Sequence, residues 1–265
     1  MNLKEKKLFL LDMDGTIYLD NELFDGTVDF LSKVRGRGGK YVFMTNNSSK
    51  SVDKYIGKLA SLGIASDALD FLTSVDATIA FLKPKNYRKI YALGTESFRE
   101  QLLSAGLPAV DCFEGRGEDI DCLCMGFDTE LSFRKLEDAC ILLMGRPEVD
   151  YIATNPDLVC PTWYGYVPDC GSVSIMLENA TKRKPRFIGK PEPEMALSAM
   201  AKFGFTPEET VVVGDRLYTD IACGVNAGIG TAFVLSGEGT LADIEKYGVT
   251  PDRVYKNIRE MADEL

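Results

Sequence analysis

Short runs, apolar at nearly every position rather than at every second one, recur along this chain and end abruptly in small polar or acidic residues. The first, Leu8–Leu11, is followed at once by Asp12, Met13, Asp14, Gly15 and Thr16. The run at 41–44 ends in Thr45-Asn46-Asn47-Ser48-Ser49, and the run at 210–213 ends in Gly214-Asp215. A strand with no polar face has to be covered on both sides, which is the condition of a parallel strand between helices. Segments with helical apolar spacing separate the runs, at 24–34, 52–62 and 195–203. Strand and helix in alternation predict an α/β fold with a Rossmann-like, three-layer α/β/α core around a parallel sheet. In such a sheet, ligands meet the carboxyl ends of the strands, where these polar residues lie.

The texture changes near Lys83, where a Pro-Lys-Asn break precedes a fresh series of strands at 89–93, 122–126 and 151–153, separated by helices at 97–105 and Phe133–Gly145. We read 83–181 as an inserted second α/β domain, with 1–82 and 182–265 forming the core. The aromatic stretch Trp163-Tyr164-Gly165-Tyr166 reads as a surface hairpin packed by its own rings, with a ligand contact as the other reading.

Composition removes whole classes of chemistry. The chain contains no histidine, so Ser-His-Asp and Cys-His catalysis and histidine zinc sites are excluded, and proton transfer falls to Asp, Glu, Lys, Tyr or Cys. A formal net charge of -10 disfavours nucleic acid as a partner. No apolar stretch approaches the roughly 20 residues of a membrane span. Seven cysteines, with no CxxC pair, suggest free thiols in a reducing cytoplasm.

Each strand end has an ordinary reading. Asp-Gly makes turns, and Ser and Asn cap helices. The chemical readings are a carboxylate nucleophile, Asp12, beside a proton-handling carboxylate, Asp14, and an oxyanion cradle at Thr45 and Asn46. Lys190, held between Gly189 and Pro191 after two apolar residues, is more constrained than a surface lysine. Asp215 and Asp220 add acids at a third strand end, with Asp220 expected at the start of a helix running to Ala227. Crowding Asp12, Asp215 and Asp220 at one place requires a cation.

Taken in order, DxDGT, TNN, an isolated lysine and GDxxxxD resemble the four motifs of the haloacid dehalogenase superfamily. The resemblance extends to the branch with a large α/β cap between the second and third motifs, which includes NagD-like and p-nitrophenyl phosphatases. It covers essentially the whole chain, including Ala153-Thr-Asn-Pro-Asp157, though the run from Cys170 to Ser174 departs from the usual pattern. The resemblance implies Mg²⁺-dependent hydrolysis of small-molecule phosphate monoesters, such as sugar phosphates or nucleotides, through an aspartyl-phosphate on Asp12. By that analogy Asp14 is the acid and base, and Thr45, Asn46 and Lys190 bind phosphate. Asp12, the main-chain carbonyl of Asp14, and Asp215 hold the metal, with Asp220 orienting them. Phosphoryl transfer to a sugar hydroxyl and a non-catalytic binding module are the alternatives. The cap surface is a candidate homodimer contact.

Overall fold

The computed structural model describes residues 1–162 and 164–265; Trp163 of the aromatic stretch lies outside the described residues. The chain divides into two units. One comprises Met1–Thr45, Val52–Leu72 and Lys190–Leu265, the other Asn46–Ser51 and Thr73–Gly189.

The first unit begins with β1 (Leu8–Leu11), a two-residue hairpin of β2 (Tyr18–Leu19) and β3 (Glu22–Leu23), α1 (Thr27–Gly36), β4 (Lys40–Thr45) and α2 (Val52–Ser61). Strand β5 (Phe71–Thr73) runs up to the boundary between the units. The second unit carries α3 (Ser74–Leu82), β6 (Ile90–Leu93), α4 (Glu96–Ser104), β7 (Ala109–Val110), β8 (Cys122–Met125) and α5 (Phe133–Gly145). It continues with β9 (Asp150–Ala153), β10 (Val159–Thr162), β11 (Gly165–Pro168), α6 (Cys170–Thr181) and β12 (Arg186–Phe187). The first unit then resumes with α7 (Glu194–Phe203), β13 (Thr210–Gly214), α8 (Ala222–Ala227), β14 (Gly230–Val234), α9 (Ala242–Tyr247), β15 (Arg253–Tyr255) and α10 (Ile258–Glu264).

The first unit is built on a six-stranded sheet ordered β15-β14-β13-β1-β4-β5. β1 lies between β13 and β4, parallel to both, with Leu11 opposite Val213 on one side and Phe43 on the other. All four of its residues are buried, as a strand covered on both faces must be. Phe9, Leu11, Tyr41, Phe43, Val211 and Val213 face one way, into a core shared with α1, α2 and α10. Alternate positions face the other way, where a side chain on Gly224 of α8 would collide with Val212 and Thr231. Helices on both faces make the three layers expected of a Rossmann-like core.

The second unit repeats the plan with a parallel sheet ordered β12-β9-β8-β6-β7. Tyr91, Leu93, Leu123 and Met125 pack against α5 and α6. Ile90, Ala92, Cys122 and Cys124 pack against α3 and α4. This second unit is wider than the 83–181 read from the sequence. α3 belongs to it because Val75 and Leu82 are buried in its core, and Ile188 joins the same cluster. The entry is fixed by a reciprocal cap in which Asp76 N donates to Thr73 Oγ1 and Thr73 N donates to Asp76 Oδ2.

β10 and β11 form the expected antiparallel hairpin, on which Tyr164 and Tyr166 are exposed. The seven cysteines are free thiols. Among the described residues no helix is long and apolar enough to cross a membrane.

Candidate active site

The carboxyl ends of β1 and β13 converge in the first unit. Asp12 continues β1, its amide donating to the Val213 carbonyl at 2.9 Å, and Asp215 follows directly on β13. Asp220 is not at the start of a regular helix. It sits in a single π turn, Leu217–Ile221, that leads into α8. Widening the turn brings the Asp220 side chain back against Gly214, where a Cβ would lie 2.3 Å from that of Asp220. Glycine is therefore required by the close approach itself. The result is a cluster in which one carboxylate oxygen from each of Asp12, Asp215 and Asp220 lies within 4.8 Å of the others.

Lys190 is the counter-charge. Its Nζ donates to Asp12 Oδ1 at 2.6 Å, to Asp220 Oδ1 at 2.6 Å and to the Met44 carbonyl at 3.0 Å. Its side chain is 2% exposed, so these bonds form away from water. Burial pulls the ammonium down, but Asp12 and Asp220 outweigh it and hold Lys190 above its usual value. One lysine does not balance three acids. Burial, with Asp220 and Asp215 adding to it, raises Asp12 well above the carboxylate range despite Lys190. Burial, then Asp220, pushes Asp215 up to about 7.

The oxygens differ in how they are satisfied. Asp220 accepts from Lys190 through Oδ1 and from the Arg216 amide through Oδ2 at 3.0 Å. Asp215 accepts the Glu238 amide through Oδ2 at 2.7 Å, while its buried Oδ1 has no hydrogen-bond partner among the described residues. A buried oxygen without a donor, in an all-oxygen cluster of surplus negative charge, fits a hard divalent cation such as Mg²⁺. Both oxygens of Asp220 are thus occupied, one by the Lys190 ammonium and one by the Arg216 amide.

Asp14 stands apart from the three acids. β1 ends at Leu11, and the backbone turns at Met13, whose carbonyl accepts from the amides of Thr16 and Ile17. The Asp14 carboxylate instead faces Lys58 of α2, at 3.7 Å, and the Tyr18 hydroxyl, at 3.5 Å. The Lys58 ammonium lies 3.6 Å from the centre of the Tyr18 ring. Sequence reasoning missed both neighbours. Lys58 looks like any helix-surface lysine, and Tyr18 lies in a strand too short to carry a pattern.

Thr45 is buried at the end of β4 in this unit. Asn46, also buried, belongs to the second unit, where its carbonyl accepts from Ser74 Oγ at 2.7 Å.

Residues 9–108 match the profile described as haloacid dehalogenase-like hydrolase, and residues 187–261 match a second profile of HAD-hydrolase-like proteins. The chain belongs to the haloacid dehalogenase-like hydrolases, in their capped phosphatase branch. An acid sugar phosphatase of Staphylococcus aureus is 31% identical over 99% of both chains. The crystal structure of a 4-nitrophenylphosphatase from Thermotoga maritima superposes with a TM-score of 0.89 at 38% identity, covering 99% of this chain and 98% of that one. A glycerol phosphate phosphatase from Mycobacterium tuberculosis, solved with magnesium, gives a TM-score of 0.87 at 29% identity, covering 98% of this chain and 78% of that one.

Proposed function

We propose that this phosphatase hydrolyses small sugar or polyol phosphate monoesters with Mg²⁺ as cofactor, through an aspartyl-phosphate on Asp12. The observation that carries the reading is the buried cluster of Asp12, Asp215 and Asp220, with Lys190 bonded to two of them and Asp215 Oδ1 without a donor among the described residues. The names of the relatives support the substrate class, and p-nitrophenyl phosphate serves as the artificial ester.

Asp12, the Asp14 carbonyl and Asp215 would hold the metal, which when bound offsets the negative charge shared by the carboxylates and the phosphate. Lys190 fixes Asp12 through Oδ1, so that the carboxylate is oriented when it attacks phosphorus. The new bond joins an Asp12 oxygen to phosphorus as the ester P–O bond breaks, and Asp14 gives its proton to the leaving alkoxide. Water then attacks the same phosphorus, Asp14 takes back a proton, and inorganic phosphate leaves with Asp12 restored. Thr45 and Asn46 bind the phosphoryl oxygens, and the second unit acts as the cap that selects the organic group.

The test is phosphate release in Mg²⁺ from p-nitrophenyl phosphate and a panel of sugar, polyol and nucleoside phosphates, comparing wild type with Asp12→Asn. Turnover abolished in the variant, with sugar or polyol esters ranked above nucleotides, is the expected result. A wild type inactive on every ester, or a variant as active as wild type, would refute it.

A further inference from the structure

The turn after β14 crosses directly over Asp215. Within Ser236-Gly237-Glu238-Gly239, the Glu238 amide donates to Asp215 Oδ2 at 2.7 Å, and the Gly239 amide donates to the Asp215 main-chain carbonyl at 3.0 Å. Ser236 Oγ donates to the Gly15 carbonyl at 2.7 Å, joining the turn to the segment that carries Asp14. A Cβ on Gly237 would lie 2.0 Å from Asp215 Oδ2, and one on Gly15 would lie 2.5 Å from the same oxygen. Backbone therefore closes on Oδ2 from two chain segments, and no larger residue fits at either glycine without moving the carboxylate. The other oxygen, Oδ1, is the buried one with no hydrogen-bond partner among the described residues.

The turn is itself anchored to residues that follow Asp215. Glu238 Oε2 is 2.8 Å from Arg216 Nε, and the Tyr218 hydroxyl donates to Glu238 Oε1 at 3.4 Å. Both carboxylate oxygens of Glu238 are thereby directed back to the segment entering the π turn that holds Asp220. Glu238 hydrogen-bonds the Asp215 side chain through its backbone amide, while its carboxylate adds a weaker repulsion to Asp215, so removing the side chain relieves that repulsion and frees the amide together.

We infer that residues 236–239 form a positioning strap that fixes Asp215 with Oδ2 tied down and Oδ1 presented to the divalent cation, and that the Glu238 side chain, held by Arg216 and Tyr218, keeps the strap closed. The inference rests on the metal-dependent reading above. It has a consequence that general stabilisation lacks. Mg²⁺ demands near-ideal octahedral geometry, whereas Ca²⁺ accepts irregular and longer coordination. Loosening the strap costs the smaller ion more.

The experiment measures Mg²⁺ and Ca²⁺ dissociation constants by calorimetry for wild type, Glu238→Ala and Gly237→Ala, with circular dichroism in EDTA to establish that each variant is folded. Glu238→Ala, at a partly exposed side chain, is the deciding variant if Gly237→Ala does not fold. The expected result is a Mg²⁺ affinity weakened about 10–100-fold, as for other groups that orient metal ligands, with a clearly smaller loss for Ca²⁺. Equal losses for the two ions, or no loss for either, overturn the strap's role. A folded wild type that binds neither ion overturns the metal-dependent reading, and the strap's role with it.

Discussion

Protons and metal compete for Asp215, and the competition fixes how Mg²⁺ binding depends on pH. In the metal-free protein, burial and the neighbouring Asp220 hold Asp215 near about 7. The cation binds the ionised carboxylate, so apparent affinity weakens about tenfold for each pH unit below 7 and levels off above it. Between pH 8 and pH 5 the loss is about 100-fold, or ~2.7 kcal/mol at 1.36 kcal/mol per unit. Asp12, also raised, can only steepen the dependence. The effect on stability has the same origin. A carboxyl whose folded value lies above its unfolded value of about 3.9 destabilises the metal-free fold as pH rises from about 4 to about 7. Mg²⁺ should therefore raise the melting temperature more at pH 8 than at pH 5. Titration calorimetry at pH 5, 6, 7 and 8 in buffers of different ionisation enthalpy gives both the affinity and the protons released, about one per Mg²⁺ from Asp215 at pH 6 and more where Asp12 is also protonated. An affinity that is flat across this range, with no proton release, would refute the reasoning.

Replacing Lys190 with Met leaves Asp12, Asp215 and Asp220 without the ammonium bonded to two of them, and urea denaturation of the metal-free protein should show a loss of about 3–5 kcal/mol. Asp14→Asn should retain more first-step activity on p-nitrophenyl phosphate than on a sugar phosphate, because a phenolate leaves without an acid; burst kinetics showing equal losses on both would count against Asp14 as the proton donor. Gly214→Ala places a Cβ 2.3 Å from that of Asp220, so activity should fall by at least tenfold while the far-ultraviolet spectrum is kept. Phe98→Ala empties a fully buried position in the second unit's core and should cost about 3–5 kcal/mol in that unit, read by hydrogen exchange of β6 and β8.

The parts of the fold legible in the sequence are those where one physical signal dominates. Leu8–Leu11 is an unbroken apolar run between lysines and an aspartate, and its strand has those bounds. The helix at Phe133–Gly145 starts after Ser132, whose hydroxyl accepts from the Lys135 amide. Where the outcome depends on backbone torsion or distant packing, the reading slips. α1 begins at Thr27 rather than Phe24 because Gly26 adopts a φ of 87°. The two-residue strands β2 and β3 are too short for periodicity. In the site, Asp12, Lys190, Asp215 and Asp220 were legible from residue type and spacing, and the structure brings them together. Lys58 and the 236–239 strap were not, since each acquires its neighbours only through folding. The small polar turn that follows β14 was the one available hint of the strap.

The threading of the chain bears on the order in which these groups can meet. β13 pairs with β1 in the middle of the first sheet, Leu8 opposite Thr210, so two central neighbours are separated by most of the polypeptide. The second unit lies almost wholly between them, at Thr73–Gly189. On a ribosome, the second unit's strands are all available before Lys190, Asp215 or Asp220 has been made. Contacts close in sequence form early, and those that close long loops form late. The buried acids are thus brought together only in the last stage of folding, when the lysine that partly offsets their charge arrives on the same returning segment as two of them. A nascent chain exposes Asp12 to water throughout synthesis and bears no cost of burying it until its counter-charge is present.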